Sequence, residues 1–120
     1  MRLPLKLKPE EKLQIQVHEW FCLSFPRHKE EFHHFAGERR CSRIYGHILH
    51  LMGVKAGVAD IFIDVPMKSY RGLWVELKVG KNKPTEAQKH FLARKAIIGY
   101  VTGCVVGFDA AKEFIENYMH

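Results

Sequence analysis

The sequence predicts an α/β fold in which a mixed central β-sheet is flanked by α-helices, in the order α-β-α-β-β-α-β-α. A length of 120 residues suits a single domain that covers residues 1–120. A hydrophobic content of 47% with 27% charged residues is typical of a globular chain. Along the chain, the periodicity of the apolar residues changes between that of a helix and that of a strand, and these changes define the predicted elements.

The first predicted helix begins near Pro9, where two acidic residues follow the proline and suit the positive end of the helix dipole. Apolar side chains then recur at helical spacing as far as about Phe25: Leu13, Val17, Trp20 and Phe21. Glu10 falls on the same stripe, so its carboxylate is expected to point inward. Pro26 ends the helix.

A short strand and a second helix are predicted next, at Phe32–Gly37 and from about Arg40 to Met52. Three apolar residues of the helix are expected to face the interior: Ile44, Ile48 and Leu51. A second stripe of this helix is basic and comprises Arg40, Arg43, His47 and His50.

Two strands follow at Val58–Val65 and Leu73–Val79, with a turn between them. A third helix begins at about Thr85, which is spaced from Gln88 as a capping box requires. The stretch "YVTGCVVG" is a mostly apolar strand that we expect in the interior of the sheet. Asp109 is expected to cap a last helix with one apolar face: Ala111, Phe114, Ile115 and Tyr118.

Charged residues interrupt two of these apolar strands. Glu76 and Lys78 project to one side of the second strand, and Asp60 lies on the strand before it. A hairpin-like connection can make the two strands neighbours, so the three side chains can meet at one end of the sheet. Two carboxylates without a compensating charge repel each other, and burying either one costs several kcal/mol. A divalent cation would remove this conflict.

Oxygen ligands without cysteine or histidine favour Mg²⁺ or Mn²⁺ over Zn²⁺. Such an ion lowers the pKa of a bound water, and a lysine beside that water can orient or deprotonate it and neutralise charge on a phosphate. Phosphodiester hydrolysis is the chemistry that these groups suit. The alternative is a salt bridge between Glu76 and Lys78 on an exposed edge, because an Asp followed by Glu-x-Lys often occurs by chance.

The chain resembles the virus-type replication-repair nuclease (VRR-NUC) domain of the PD-(D/E)xK nuclease superfamily. The resemblance runs through "EEKLQIQVHEW", "GVKAGVADIFIDV", "GLWVELKVGKNKPTEAQKHFL" and "GYVTGCVVGFDAAKEFIENY", in that order. It implies a restriction-endonuclease-like core. Two departures are Ala59, where the superfamily has a proline, and "HFAGERR", where many relatives carry an asparagine.

The resemblance also implies roles for individual residues. Asp60 and Glu76, with the main-chain carbonyl of Leu77, would hold the metal, and Lys78 would be catalytic. Glu10 would reach the site from the first helix, as a further possible metal ligand, and Gln88 would complete it from the third. From the residues alone, Glu10 could serve only the helix dipole and Gln88 only the capping box.

A net charge of +6 and a pI near 9.3 suit a polyanionic partner such as nucleic acid, although they could simply aid solubility. Candidate phosphate contacts are Arg40, Arg43, Lys81 and Lys83, and each could instead be a solvated surface residue.

Stand-alone members of the resembled family look like homodimeric resolvases of four-way junctions, and cleavage would leave a 5′-phosphate. Branched DNA and a homodimer are therefore expected, and the apolar side of the first helix (Trp20, Phe21, Phe25) could be the dimer surface or core.

Other classes of function fit less well. The three cysteines are scattered, the histidines lack a third zinc ligand at typical spacing, and no glycine-rich loop indicates a nucleotide cofactor. No apolar run approaches the ~20 residues that span a bilayer, and no secretion signal is evident, so we expect a cytoplasmic protein without a membrane partner. Two alternatives to a nuclease remain, a non-catalytic nucleic-acid-binding module and a protein-interaction domain of the same fold.

Overall fold

The structure, a computed structural model, describes residues 6–35 and 42–120. The helices within these residues are α1 (Pro9–Ser24), α2 (Arg43–Leu51), α3 (Glu86–Ile97) and α4 (Gly107–Met119), with a short 3₁₀ helix at Pro26–Glu31. The strands are β1 (Phe32–His34), β2 (Ile61–Ile63), β3 (Leu73–Lys78) and β4 (Val101–Val106). The predicted order of helices and strands is confirmed, with the 3₁₀ helix as an addition.

The four strands form one mixed sheet in the order β1-β2-β3-β4. The pairs β1–β2 and β2–β3 are antiparallel, and β3–β4 is parallel. Ile61 pairs with Val75 across β2 and β3, and Glu76 pairs with Cys104 across β3 and β4. Helix α3 connects the two parallel strands, as a parallel connection requires.

The prediction that β4 is interior is wrong, because β4 is an edge strand among the described residues. It contacts α3 and α4 in addition to β3, and its residues are mostly half-buried. The apolar run therefore reflects helices packed against the strand rather than a strand on each side.

One face of the sheet forms the main core with α1 and α4. Leu73, Val75 and Leu77 alternate along β3 toward this face, as the sequence predicts. They pack with side chains of β2, α1 and α4: Ile61, Ile63, Leu13, Val17, Phe21, Ala111 and Ile115. Each large apolar side chain buried here contributes about 1.5–3 kcal/mol. Trp20 and Phe25 pack against the same core, so the apolar side of α1 is interior rather than a free dimer surface.

Several predicted boundaries shift. Helix α2 begins at Arg43 because the Ser42 hydroxyl accepts a hydrogen bond from the Tyr45 N–H at 3.1 Å, and Arg40 lies outside the described residues. Strand β1 ends at His34, and positions 36 and 37 of the predicted strand also lie outside them. Strands β2 and β3 are shorter than predicted.

Two further predictions about helices are wrong. Asp109 does not cap α4, which begins at Gly107, where a φ of +82° lets the chain turn directly from β4 into the helix. Helix α2 has no buried residue, and Ile44 and Leu51 are 76% and 70% exposed. Helix α2 has the predicted apolar face, but the part of the chain that the structure describes does not cover that face.

Candidate active site

The sheet brings Asp60, Glu76 and Lys78 together on the face opposite the main core. Continuing the register of β2 and β3 by one residue places Asp60 opposite Glu76. The Asp60 Oδ2 atom accepts a hydrogen bond of 2.8 Å from the Leu77 N–H, which fixes the carboxylate against β3. The Lys78 Nζ atom lies 3.1 Å from Glu76 Oε2. Two acidic groups and one ammonium group therefore share a small region at one end of the sheet.

Glu76 is the one buried charged residue among the described residues, with 3% of its surface exposed. Burial raises the pKa of its carboxyl to about 7, the negative charge of Asp60 adds to this, and Lys78 opposes it. Glu76 Oε1 is buried without a hydrogen-bond partner among the described residues. A carboxylate with a free buried oxygen and a destabilised charge is a fitting ligand for a cation.

Gln88 contacts the site from the first turn of α3. Its side-chain oxygen accepts a hydrogen bond of 2.9 Å from the Thr85 N–H, and its main-chain N–H donates one of 3.1 Å to the Thr85 hydroxyl. The Gln88 Nε2 atom then donates to Glu76 Oε2 at 3.0 Å. The capping-box reading is thus confirmed, and the same side chain also holds Glu76 in place.

Gly57 positions the segment before Asp60, and the sequence reasoning missed it. Its φ is +78°, and a Cβ atom there would lie 2.4 Å from the Ala87 carbonyl carbon and 2.7 Å from the Gln88 nitrogen. Glycine therefore allows the chain before β2 to approach the first turn of α3. The glycine three residues before the aspartate in "GVAD" was the available signal.

Glu10 is not placed as predicted. Its side chain is exposed in the first turn of α1, whereas Leu13 and Val17 of the same helix are buried. The buried face of α1 includes Leu13 and Val17 but does not extend to Glu10 at the start of the helix. An exposed carboxylate in the first turn suits the helix dipole.

The candidate phosphate contacts within the described residues are all exposed. Lys81 and Lys83 are exposed in the loop after β3, close in sequence to Lys78. Arg43 is exposed at the start of α2, with His47 and His50 exposed further along it. Arg40 lies outside the described residues.

Within residues 6–35 and 42–120, no group of three or more His, Cys, Asp and Glu side chains is arranged to hold a metal ion. An ion at this site would therefore depend on two carboxylates supplemented by main-chain and water oxygens, which suits a hard cation. Over the same residues, none of the helices has the length and apolar character needed to cross a membrane.

A solved structure described as a "VRR_NUC domain protein" is similar to this chain, with a TM-score of 0.81 and 28% sequence identity. The match covers 96% of this chain and 91% of that chain. No protein-family model matches the sequence, and no curated protein matches it. The structural likeness therefore extends over nearly the whole chain.

Proposed function

Because the chain carries a VRR-NUC domain with a restriction-endonuclease-like fold, we propose that it is a metal-dependent endonuclease that hydrolyses phosphodiester bonds in DNA. The observation that carries this proposal is Glu76, whose buried carboxylate has one oxygen held by Lys78 and Gln88 and the other without a partner among the described residues. A purely structural salt bridge would not require a second carboxylate directly opposite it.

Asp60, Glu76 and the main-chain carbonyl of Leu77 are the groups that would hold Mg²⁺ or Mn²⁺. The fit rests on Glu76 Oε1, which has no partner within the described part of the chain, and on the raised pKa of this carboxyl, which a cation would lower. When bound, such an ion would act as a Lewis acid and would lower the pKa of a bound water, so that this water could lose a proton and attack a phosphodiester.

Lys78 would act on the reacting groups directly. Its ammonium group is held beside Glu76 at 3.1 Å, so its position is fixed before DNA binds. There it can orient the attacking water and stabilise negative charge that develops on the phosphate. Gln88 is a positioning residue in this scheme, because it holds Glu76 Oε2 at 3.0 Å.

DNA recognition would depend on charge and shape more than on base sequence. The chain has a net charge of +6, and Lys81, Lys83 and Arg43 are exposed to contact phosphates.

We further propose a homodimer that cuts branched DNA such as a four-way junction, because a two-fold dimer presents paired sites to a roughly two-fold substrate. The exposed apolar face of α2 (Ile44, Ile48, Leu51) replaces α1 as the surface for that dimer.

Cleavage of labelled linear, flapped and four-way DNA with Mg²⁺ or Mn²⁺ tests the proposal. We expect wild-type protein to make paired nicks in the four-way substrate. Activity should fall at least 100-fold, roughly the scale of a lost electrostatic catalytic group, in each of the variants Asp60→Asn, Glu76→Gln and Lys78→Ala. Asp64→Asn is the matched control, since Asp64 is an exposed carboxylate at the other end of the same strand region.

A non-catalytic DNA-binding module or an interaction domain predicts a different pattern. In either case wild-type protein would leave every substrate intact with both metals. Binding without cleavage would identify the binding module, and no binding would favour the interaction domain. Equal cleavage of linear duplex would overturn the preference for branched DNA and leave the nuclease proposal intact.

A further inference from the structure

An aromatic row lies beside the candidate active site on the same face of the sheet. Trp74 precedes Glu76 by two residues on β3, so both side chains project to this face. Phe62 is the cross-strand partner of Trp74 and follows Asp60 by two residues. The Phe35 N–H donates a hydrogen bond of 2.8 Å to the Asp60 carbonyl, which continues the β1–β2 ladder and places Phe35 next to Asp60.

These rings are stacked nearly parallel. The ring centroids of Phe62 and Trp74 are 4.5 Å apart with an interplanar angle of 19°, and those of Phe35 and Trp74 are 5.6 Å apart at 28°. His33 extends the stack, with its ring 6.0 Å from that of Phe62 at 22°. The Lys95 ammonium lies 5.2 Å from the Trp74 ring centroid and adds a positive charge to the cluster.

The cluster is covered at one end and open at the other. Trp74 is only 8% exposed and packs edge-on against Phe91 of α3, with a centroid distance of 4.9 Å. Phe35 is 40% exposed, and the His33 side chain beside it is also exposed. Among the described residues, the open end is thus the end that adjoins Asp60, where the partly exposed Phe35 ring could contact a bound molecule.

We propose that Phe35, supported by Trp74, Phe62 and His33, stacks on a nucleobase that has lost a stacking neighbour beside the scissile phosphate. This inference rests on the proposed nuclease function and narrows its substrate class to DNA in which a base next to the cut is unstacked, as at a branch point or a flap. Bases in a continuous duplex already stack on both neighbours, whereas a base at a branch or flap has a free π face. The exposed His33 lies on the same face and can donate a hydrogen bond to an adjoining phosphate.

A fluorescent base, 2-aminopurine, tests the proposal when it is placed unpaired at a flap junction or paired within a duplex of the same length. With Ca²⁺ in place of Mg²⁺, we expect wild-type protein to quench the unpaired probe and to leave the paired probe nearly unchanged. Phe35→Leu removes the ring while it keeps an apolar side chain. The affinity of the protein for flap DNA should therefore fall roughly tenfold, the scale of one lost stacking contact. Its affinity for duplex DNA should change little. Phe35→Tyr should retain wild-type behaviour, and His33→Ala should weaken quenching in a second variant.

Leu23→Ala is the matched control, because Leu23 is an exposed apolar residue on α1. Thermal unfolding of each variant confirms that it is folded. If Phe35→Leu binds and quenches the flap probe as wild type does, or loses duplex affinity equally, the inference is overturned. If wild type cuts no DNA but Phe35→Leu still loses flap binding selectively, the stacking inference holds and the nuclease proposal fails.

Discussion

At the level of single residues, Glu76 combines a buried position in β3 with two donors on one carboxylate oxygen and no described partner on the other. Its folded-state pKa of about 7 lies above the ordinary glutamate value of 4.5, chiefly because of burial and then because of the negative charge of Asp60. The folded protein therefore holds this proton more tightly than the unfolded chain does. Without a metal, the Glu76 carboxyl stabilises the fold less as pH rises.

This difference predicts a pH dependence of stability. In the presence of a chelator, the contribution of Glu76 should be most favourable below pH 4.5 and should decline as pH rises toward about 7. Glu76→Gln removes the titration, so the thermal stability of the variant relative to wild type should rise between about pH 4.5 and 7 and stay level above that. Thermal unfolding at several pH values measures this.

Glu86→Gln serves as the control for that experiment, because Glu86 is an exposed glutamate in the first turn of α3. Its difference from wild type should stay nearly constant with pH. A pH-independent difference for Glu76→Gln would show that this carboxyl ionises normally in the folded protein.

At the level of elements, the site depends on the contact between the segment before β2 and the first turn of α3. Gly57→Ala would place a Cβ atom 2.4 Å from Ala87 main chain and would also strain a φ of +78°. We expect a loss of stability of about 1–3 kcal/mol and weaker cleavage at temperatures where the variant is still folded. Chemical denaturation and cleavage assays measure the two effects.

Gly53→Ala is the matched control, since Gly53 also has a positive φ, +99°, but a Cβ atom there meets nothing within 4 Å. It should cost stability without a comparable loss of cleavage by the folded protein. Equal behaviour of the two variants would mean that the contact with α3 has no special effect on the site.

Sequence periodicity predicts the elements well because it depends on local geometry. The alternation along β3 places Leu73, Val75 and Leu77 toward the core and leaves Glu76 on the other face. Which surfaces become covered depends instead on long-range packing, so the exposed face of α2 and the edge position of β4 could not be read from apolar spacing. The stacked rings beside Asp60 likewise depend on the pairing of three strands.

The exposed face of α2 carries its own prediction. If Ile44 and Leu51 meet their counterparts in a second copy, Ile44→Lys and Leu51→Lys should each convert a dimer to a monomer, because a charge buried in an apolar interface is costly. Light scattering after size-exclusion chromatography measures the mass. Leu23→Lys on α1 is the matched surface control, and a wild-type monomer at micromolar concentration would contradict the proposed dimer.

At the level of the whole molecule, the two faces of the sheet have different roles. One face packs against α1 and α4 and stabilises the fold, while the other carries Asp60, Glu76 and Lys78 together with the aromatic row. A solved VRR_NUC domain protein is similar in structure to this chain over 96% of its length. Substitutions of Asp60 and Lys78, which are less buried than Glu76 on this second face, should alter function with less effect on folding than substitutions in the core.

Binding of Mn²⁺ to the folded protein, measured by isothermal titration calorimetry at pH 8 without DNA, tests most directly whether the two carboxylates form a cation site. We expect saturable binding by wild type and by Asp64→Asn, and its loss in both Asp60→Asn and Glu76→Gln. Undiminished Mn²⁺ binding by those two variants, or none by wild type, would contradict the account.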